Sequence, residues 1–188
     1  IADVSYYVKE GSNLDKEAYL RGTSVYLTDR VIPMYPHTLS NGICSLNPDV
    51  DRLSISCVME IDNKGNVVNY DIFESVIHSR KQMTYKNVNK ILEEGIIPEG
   101  YEEYADMLIG MNKLAKILRE NKLNRGYIDF DIDEAKILVD EKGKPYDVIL
   151  RYRGEAENLI EDFMIVANET IATHIYFMSL PFIYRIHG

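Results

Sequence analysis

The sequence predicts a mixed α/β domain of the α+β kind, an antiparallel-rich sheet packed with long helices. Three observations predict it. Apolar residues alternate from Leu53 to Ile61 and resume at Val67 after an Asp-Asn-Lys-Gly-Asn turn, the pattern of a hairpin. Apolar residues then recur every three or four positions from Tyr101 to Leu118, and again from Ala156 to Ile175, as in amphipathic helices. No repeat or low-complexity stretch interrupts the order of strands, two helices, a strand pair and a helix. With 188 residues, 46% hydrophobic and 27% charged, the chain is long enough for one domain with its own core, and disorder, collagen and coiled-coil readings fall away.

The elements follow in order. Ile1 to Val8 mixes β-branched and aromatic residues and reads as a strand ending at Glu10-Gly11. Ser12-Asn13-Leu14-Asp15 offers caps for a short helix stopped by Gly22. Thr23 to Val31 carries Val25, Tyr26, Leu27 and Val31, and Pro33 and Pro36 break it. Pro33 to Pro48 is loop-like yet too apolar to be free, so it is expected to pack. After the hairpin, Tyr85, Val88, Ile91 and Leu92 mark a helix up to Gly95, and the longer helix runs to a stop at Gly126. Tyr127 to Val139 reads as strand, Asp140 to Pro145 as a turn into Tyr146 to Leu150, and Gly154 to about Met178 as the last helix, ended by Pro181.

Composition narrows the function classes. The 21 basic and 30 acidic residues leave a net charge of −9, which excludes a wholly basic nucleic-acid coat but not an enzyme with a local basic site. Cys44 and Cys57 lack the spacing of a zinc site or a disulfide framework, which favours a reducing, cytoplasmic setting. No apolar run reaches the roughly 18 residues of a membrane span, and no membrane partner is expected. The opening IADVSYYVKE lacks the features of a secretory signal and reads as the interior of a longer polypeptide.

Motifs of common catalytic sites are absent: no GxSxG elbow, no GxxxxGK[ST] or GxGxxG loop, and no HxxxH or HExxH pair among His37, His78, His174 and His187. These histidines read as surface or internally satisfied residues. Asp129, Asp131 and Asp133 alternate, so a strand would place three carboxylates on one face, but position six of a calcium loop would be Glu134 and position twelve Asp140. A solvated face is the preferred reading, and no metal site is assigned. The basic residues fall at His78-Ser79-Arg80-Lys81 and along Lys113, Lys116, Arg119, Lys122 and Arg125. They meet phosphates or, the favoured reading, form a solvated face paired with Glu102, Glu103 and Asp106.

One further signal is specific. GTSVYL, VIPM, LSNGICSLNP followed by DRL, then RGYIDFD, LIEDFMIVAN and the closing RIHG occur in this order. Together they resemble the catalytic (RNB) domain of the ribonuclease II family of exoribonucleases, over residues 1 to 188, with GTSVY and SLNP placing the chain nearer the ribonuclease R branch than ribonuclease II itself.

The resemblance implies a segment of a hydrolytic, processive 3′-to-5′ exoribonuclease that uses Mg2+ and releases nucleoside 5′-monophosphates from the single-stranded 3′ end of RNA, with no DNA partner expected. It also implies that the metal-binding aspartates, of D-x5-D-x-D-D type, lie upstream of Ile1. The later arginine-rich segment with the second half of the domain, and the cold-shock and S1 modules, would likewise lie outside. No catalytic residue or metal ligand is therefore expected within the chain, and Asp3 is not one. Three residues match family positions that hold RNA. Tyr26 corresponds to an aromatic clamp at the 3′-terminal nucleotide, Phe130 to the ring on which the innermost base stack ends, and Glu161 to a carboxylate that bonds a ribose 2′-hydroxyl, with the adjacent Asp162 as the other possible register. A segment of this kind is expected to be inactive alone. The alternative is a non-catalytic RNA-binding or protein-interaction fragment or scaffold, and the coding sequence just upstream of Ile1 discriminates between the two.

Overall fold

The computed structural model describes residues 1–127 and 135–185, which fall into two compact units. The first comprises residues 1–56, 72–82 and 135–152, the second residues 57–71, 83–127 and 153–185. Phe130, Asp129, Asp131 and Asp133 lie outside the described residues, as does His187.

The first unit begins differently from its sequence reading. Val4–Tyr7 form a single helical turn, α1, where composition predicts a strand. The reason is local: the Asp3 carboxylate accepts from the Ser5 hydroxyl at 2.6 Å and the Tyr6 amide at 3.1 Å, capping the turn. Ala2 retains a strand bridge to Ser54 of β3 (Asp51–Ile61). The next helix, α2 (Asn13–Arg21), starts where expected, its Ser12 hydroxyl accepting from the Asp15 amide at 3.2 Å. It stops at Gly22, whose φ of 69° side chains with a Cβ rarely adopt.

Strands β1 (Val25–Tyr26) and β2 (Val31–Ile32) pair antiparallel, Tyr26 opposite Val31. The proline-bounded stretch is packed, as its apolar content requires. Thr38–Ile43 form a wide helical turn closed by the Cys44 amide on the Leu39 carbonyl, and Leu39 is buried. Arg52 ties this turn to β3 by donating to the Ser45 carbonyl at 2.9 Å and the Gly42 carbonyl at 3.4 Å. Strands β4 (Val67–His78), β5 (Ala135–Val139) and β6 (Pro145–Leu150) complete the set. Among the described residues the strands pair as three two-stranded ribbons, β1–β2, β3–β4 and β5–β6.

The second unit carries the larger helical core. Thr84 caps α3 (Tyr85–Asn89), which widens into the turn Lys90–Glu94 and ends at Gly95. Helices α4 (Ala105–Asn124) and α5 (Glu155–Phe177) pack against each other and against α3. Val88, Ile91, Tyr101, Ala105, Leu108 and Ala156 form the buried cluster, with Met83, Leu92, Tyr104 and Met111 around it. Farther along the same seam Ala115, Leu118 and Leu159 are buried, each large side chain contributing roughly 1.5–3 kcal/mol.

The start of α5 is closed by side chains of α3 and its extension and by Glu157 of α5 itself. The Glu155 amide donates to Glu93 at 2.8 Å, the Ala156 amide to Asn89 at 2.7 Å, and the Gly154 amide to Glu157 at 3.1 Å. These bonds satisfy amides that a helix leaves unpaired at its first turn. A Cβ at Gly154 would lie 2.5 Å from Asn89 Nδ2 and 2.6 Å from Glu93 Oε1, so a larger residue there would push these capping side chains aside.

Candidate nucleic-acid interface

Each residue singled out in the sequence has a definite environment where the structure describes it. Tyr26 sits in the first unit on the short β1–β2 ribbon, 77% exposed. Its ring is therefore open to a stacking partner, not half-buried as an alternating strand residue would be. Glu161 belongs to the second unit, on α5, with its side chain 34% exposed. The two are thus brought to the surface of different units. Phe130 lies outside the described residues.

Glu161 and Asp162 are adjacent but differ sharply in surroundings. Asp162 is 3% exposed and fully engaged: Arg119 Nε donates to its Oδ2 at 2.9 Å and Lys122 Nζ to its Oδ1 at 3.0 Å. Successive residues on a helix are 100° apart, so Asp162 points into the α4–α5 seam while Glu161 lies at its edge. Arg153, just before α5, donates to Glu161, and Lys122 Nζ stands 3.6 Å from it. Glu161 is the carboxylate of the pair that keeps solvent access.

The basic row on α4 is the expected solvated face only in part: Lys113, Lys116 and Arg125 are exposed, whereas Arg119 is half-buried and Lys122 buried. Its partners are acids of α5: Lys116 with Glu155 at 3.5 Å, Arg119 and Lys122 with Asp162, and Arg125 with Glu169 at 3.1 Å. Lys122 is 7% exposed and takes the last place in the buried stripe Ala105, Leu108, Asn112, Ala115, Leu118. Tyr127 covers it from the other side, its ring centroid 4.0 Å from Lys122 Nζ, a cation–π contact. The sequence shows a lysine at the right period for that stripe, but nothing in it distinguishes a buried cation from the exposed ones beside it.

Beside this network an open cleft of about 390 Å³ runs between the β3–β4 turn, α4 and α5. Asn121, which donates to the Gly65 carbonyl at 3.2 Å, lines it together with Arg125 and Glu169.

The three histidines among the described residues are satisfied at the surface, as expected: His37 bonds Asn41, His78 bonds Asp51 at 2.7 Å and His174 bonds Tyr70. Asp3 caps α1, and its hydrogen bond from Ser5, with a further one from the Tyr6 amide, holds its carboxyl below the ordinary range against the opposing effect of burial. Burial pushes the Cys44 and Cys57 thiols up. Among the described residues no group of three or more His, Cys, Asp or Glu is placed to hold a metal ion, and no helix is long and apolar enough to cross a membrane.

Comparison with known proteins places this geometry in a family. The RNB domain model matches residues 1–188. Ribonuclease R 1 of Lactococcus lactis is 56% identical over 189 residues, covering 100% of this chain and 23% of that protein. Ribonuclease R of Thermotoga maritima is 54% identical over 188 residues, covering 100% of this chain and 26% of that protein. The chain thus spans about a quarter of the length of these relatives. RNase R of Mycoplasma genitalium, solved in complex with ribose-methylated single-stranded RNA, superposes with a TM-score of 0.94 at 34% identity, over 100% of this chain and 29% of that one. The mixed α/β architecture is that of these structures, and the chain belongs to the RNB domain family.

Proposed function

We propose that this chain is a segment of the catalytic domain of a processive, hydrolytic 3′-to-5′ exoribonuclease of the ribonuclease R kind, acting in the cytoplasm on single-stranded RNA 3′ ends. The observation that carries the reading is the family match over all 188 residues. The products would be nucleoside 5′-monophosphates.

The role of this segment is positioning. Tyr26 stacks on the 3′-terminal base and Phe130 ends the inner base stack, a mode that tolerates any sequence because every base has a π-face. Glu161 accepts from a ribose 2′-hydroxyl, the group that separates RNA from DNA. The exposure of Glu161 and the double engagement of buried Asp162 support Glu161 over its neighbour for this contact.

Mg2+ would activate the attacking water and stabilise the leaving oxygen. On the resemblance to the family, the metal-binding aspartates are proposed to lie outside this chain, and the 188 residues alone are proposed to be inactive.

The test is digestion of labelled single-stranded RNA by the natural polypeptide that carries this chain, with Mg2+ present. Stepwise loss from the 3′ end with mononucleotide products is expected, slowed by Tyr26→Ala by about 100-fold, the scale of a lost positioning contact. RNA binding without degradation would favour a non-catalytic RNA-binding protein instead.

A further inference from the structure

We propose that Lys122, without touching RNA, is the positioning residue that sets the discrimination between ribose and deoxyribose at Glu161. The proposal rests on the assignment of Glu161 as the 2′-hydroxyl acceptor.

The geometry carries it. Glu161 is the outer carboxylate of an adjacent pair, and a glutamate on a helix surface ordinarily samples several rotamers. Here two cations restrain it, Arg153 from the solvent side and Lys122, 3.6 Å away, from within. Arg153 is half-exposed and free to exchange with solvent, so its hold is weak. Lys122 is different. The residue is 7% exposed, and its ammonium faces the Asp162 carboxylate at 3.0 Å, the Tyr127 ring at 4.0 Å and Glu161.

An ammonium has three donor hydrogens, and the Asp162 bond occupies one of them. The remaining charge is directed at Glu161 from a point that the α4–α5 packing does not allow to move. Asp162 has a second partner in Arg119, so Lys122 is not needed merely to satisfy it. The arrangement is that of a buried charge holding a ligand-facing group in one place.

The test measures affinity of the natural polypeptide, without divalent metal, for a fluorescent single-stranded oligoadenylate and for its 2′-deoxy counterpart. Glu161→Gln, Lys122→Met and the double variant close a cycle. Lys122→Met is expected to lower the RNA-to-DNA affinity ratio by about tenfold, the worth of one hydrogen bond to a charged group, with DNA affinity unchanged within about twofold. The double variant is expected to match Glu161→Gln alone, because Lys122 acts through Glu161. Lys116→Met, which removes an exposed cation of the same helix, should leave the ratio unchanged.

Equal losses for RNA and DNA, an additive cycle, or an unchanged ratio in a folded Lys122→Met protein would each overturn the proposal. If Glu161→Gln itself leaves the ratio unchanged, the ribose assignment fails and the proposal with it. If Glu161→Gln lowers the ratio and Lys122→Met does not, the assignment stands and the positioning role alone fails. Should Lys122→Met not fold, Lys122→Met with Asp162→Asn leaves no unpaired buried carboxylate and must show the same loss relative to Asp162→Asn alone.

Discussion

Lys122 and Asp162 meet at 3.0 Å in the seam between α4 and α5, and they are 7% and 3% exposed. The pair continues the buried stripe that Ala115, Leu118 and Leu159 begin. Two charges taken out of water gain little over a well-packed apolar pair, but either one left alone is costly. A buried ion pair at this place fixes which residues of α5 face α4, and so which carboxylate, Glu161 and not Asp162, is turned toward solvent.

Asp162→Ala is accordingly expected to destabilise the chain by about 3–5 kcal/mol, because it removes the buried carboxylate that both Lys122 and Arg119 bond. Glu161→Gln, at the edge of the seam, should cost less than about 1 kcal/mol. Urea unfolding of the two variants checks the contrast, and equal losses would show that the pair is not buried as described.

Gly154→Ala should cost about 1–3 kcal/mol by crowding. The added methyl would sit 2.5 Å from Asn89 Nδ2 and 2.6 Å from Glu93 Oε1, the side chains that cap the first turn of α5. Thermal unfolding checks this: a lowered midpoint in Gly154→Ala is expected, and an unchanged or raised one would contradict the crowding.

The β3–β4 turn should be sensitive to acid. Bonds to the Asp62 carboxylate from the Asn66 side chain and amide, and from the Lys64 amide, hold its pKa below the ordinary 3.8. A depressed carboxylate contributes stability above about pH 3.8 that is lost as pH falls through its folded value. Thermal midpoints measured from pH 6 down to pH 2.5 should therefore fall less steeply below pH 4 in Asp62→Asn than in the parent. Parallel curves would contradict the turn geometry.

Cys44 and Cys57 should be poor nucleophiles. Burial is the main cause that raises both thiols from 9.0, assisted by Asp3 at Cys44, where Arg52 opposes it, and by Asp71 at Cys57. Reaction with a disulfide reagent at pH 7.5 should be slower than free cysteine by about tenfold or more, and both thiols should react fully once guanidinium unfolds the chain.

Much of this was legible in the sequence where local chemistry decides. Ser12 starts a helix, Gly22 and Gly95 end helices, and the Asp62–Asn66 turn joins two strands because each acts through bonds to its own neighbours. The same locality explains the miss at Val4–Tyr7, where the Asp3 cap outweighs β-branched and aromatic composition. What the sequence hides is long-range. Lys122 and Asp162 stand 40 positions apart, and only the packing of α4 on α5 turns a row of surface-like charges into a buried pair. The motif singles out Tyr26, but nothing in the sequence around it shows that it is 77% exposed on a two-residue strand.

The central claim is that these residues hold RNA for aspartates supplied from outside the chain. It is tested most directly by incubating the purified 188-residue chain with 5′-labelled single-stranded RNA and Mg2+, reading retention and mononucleotide release together. The account predicts retention, weakened in Tyr26→Ala, and no release. Mg2+-dependent release of mononucleotides, abolished by Tyr26→Ala, would contradict it and direct attention to Asp129, Asp131 and Asp133 as metal ligands.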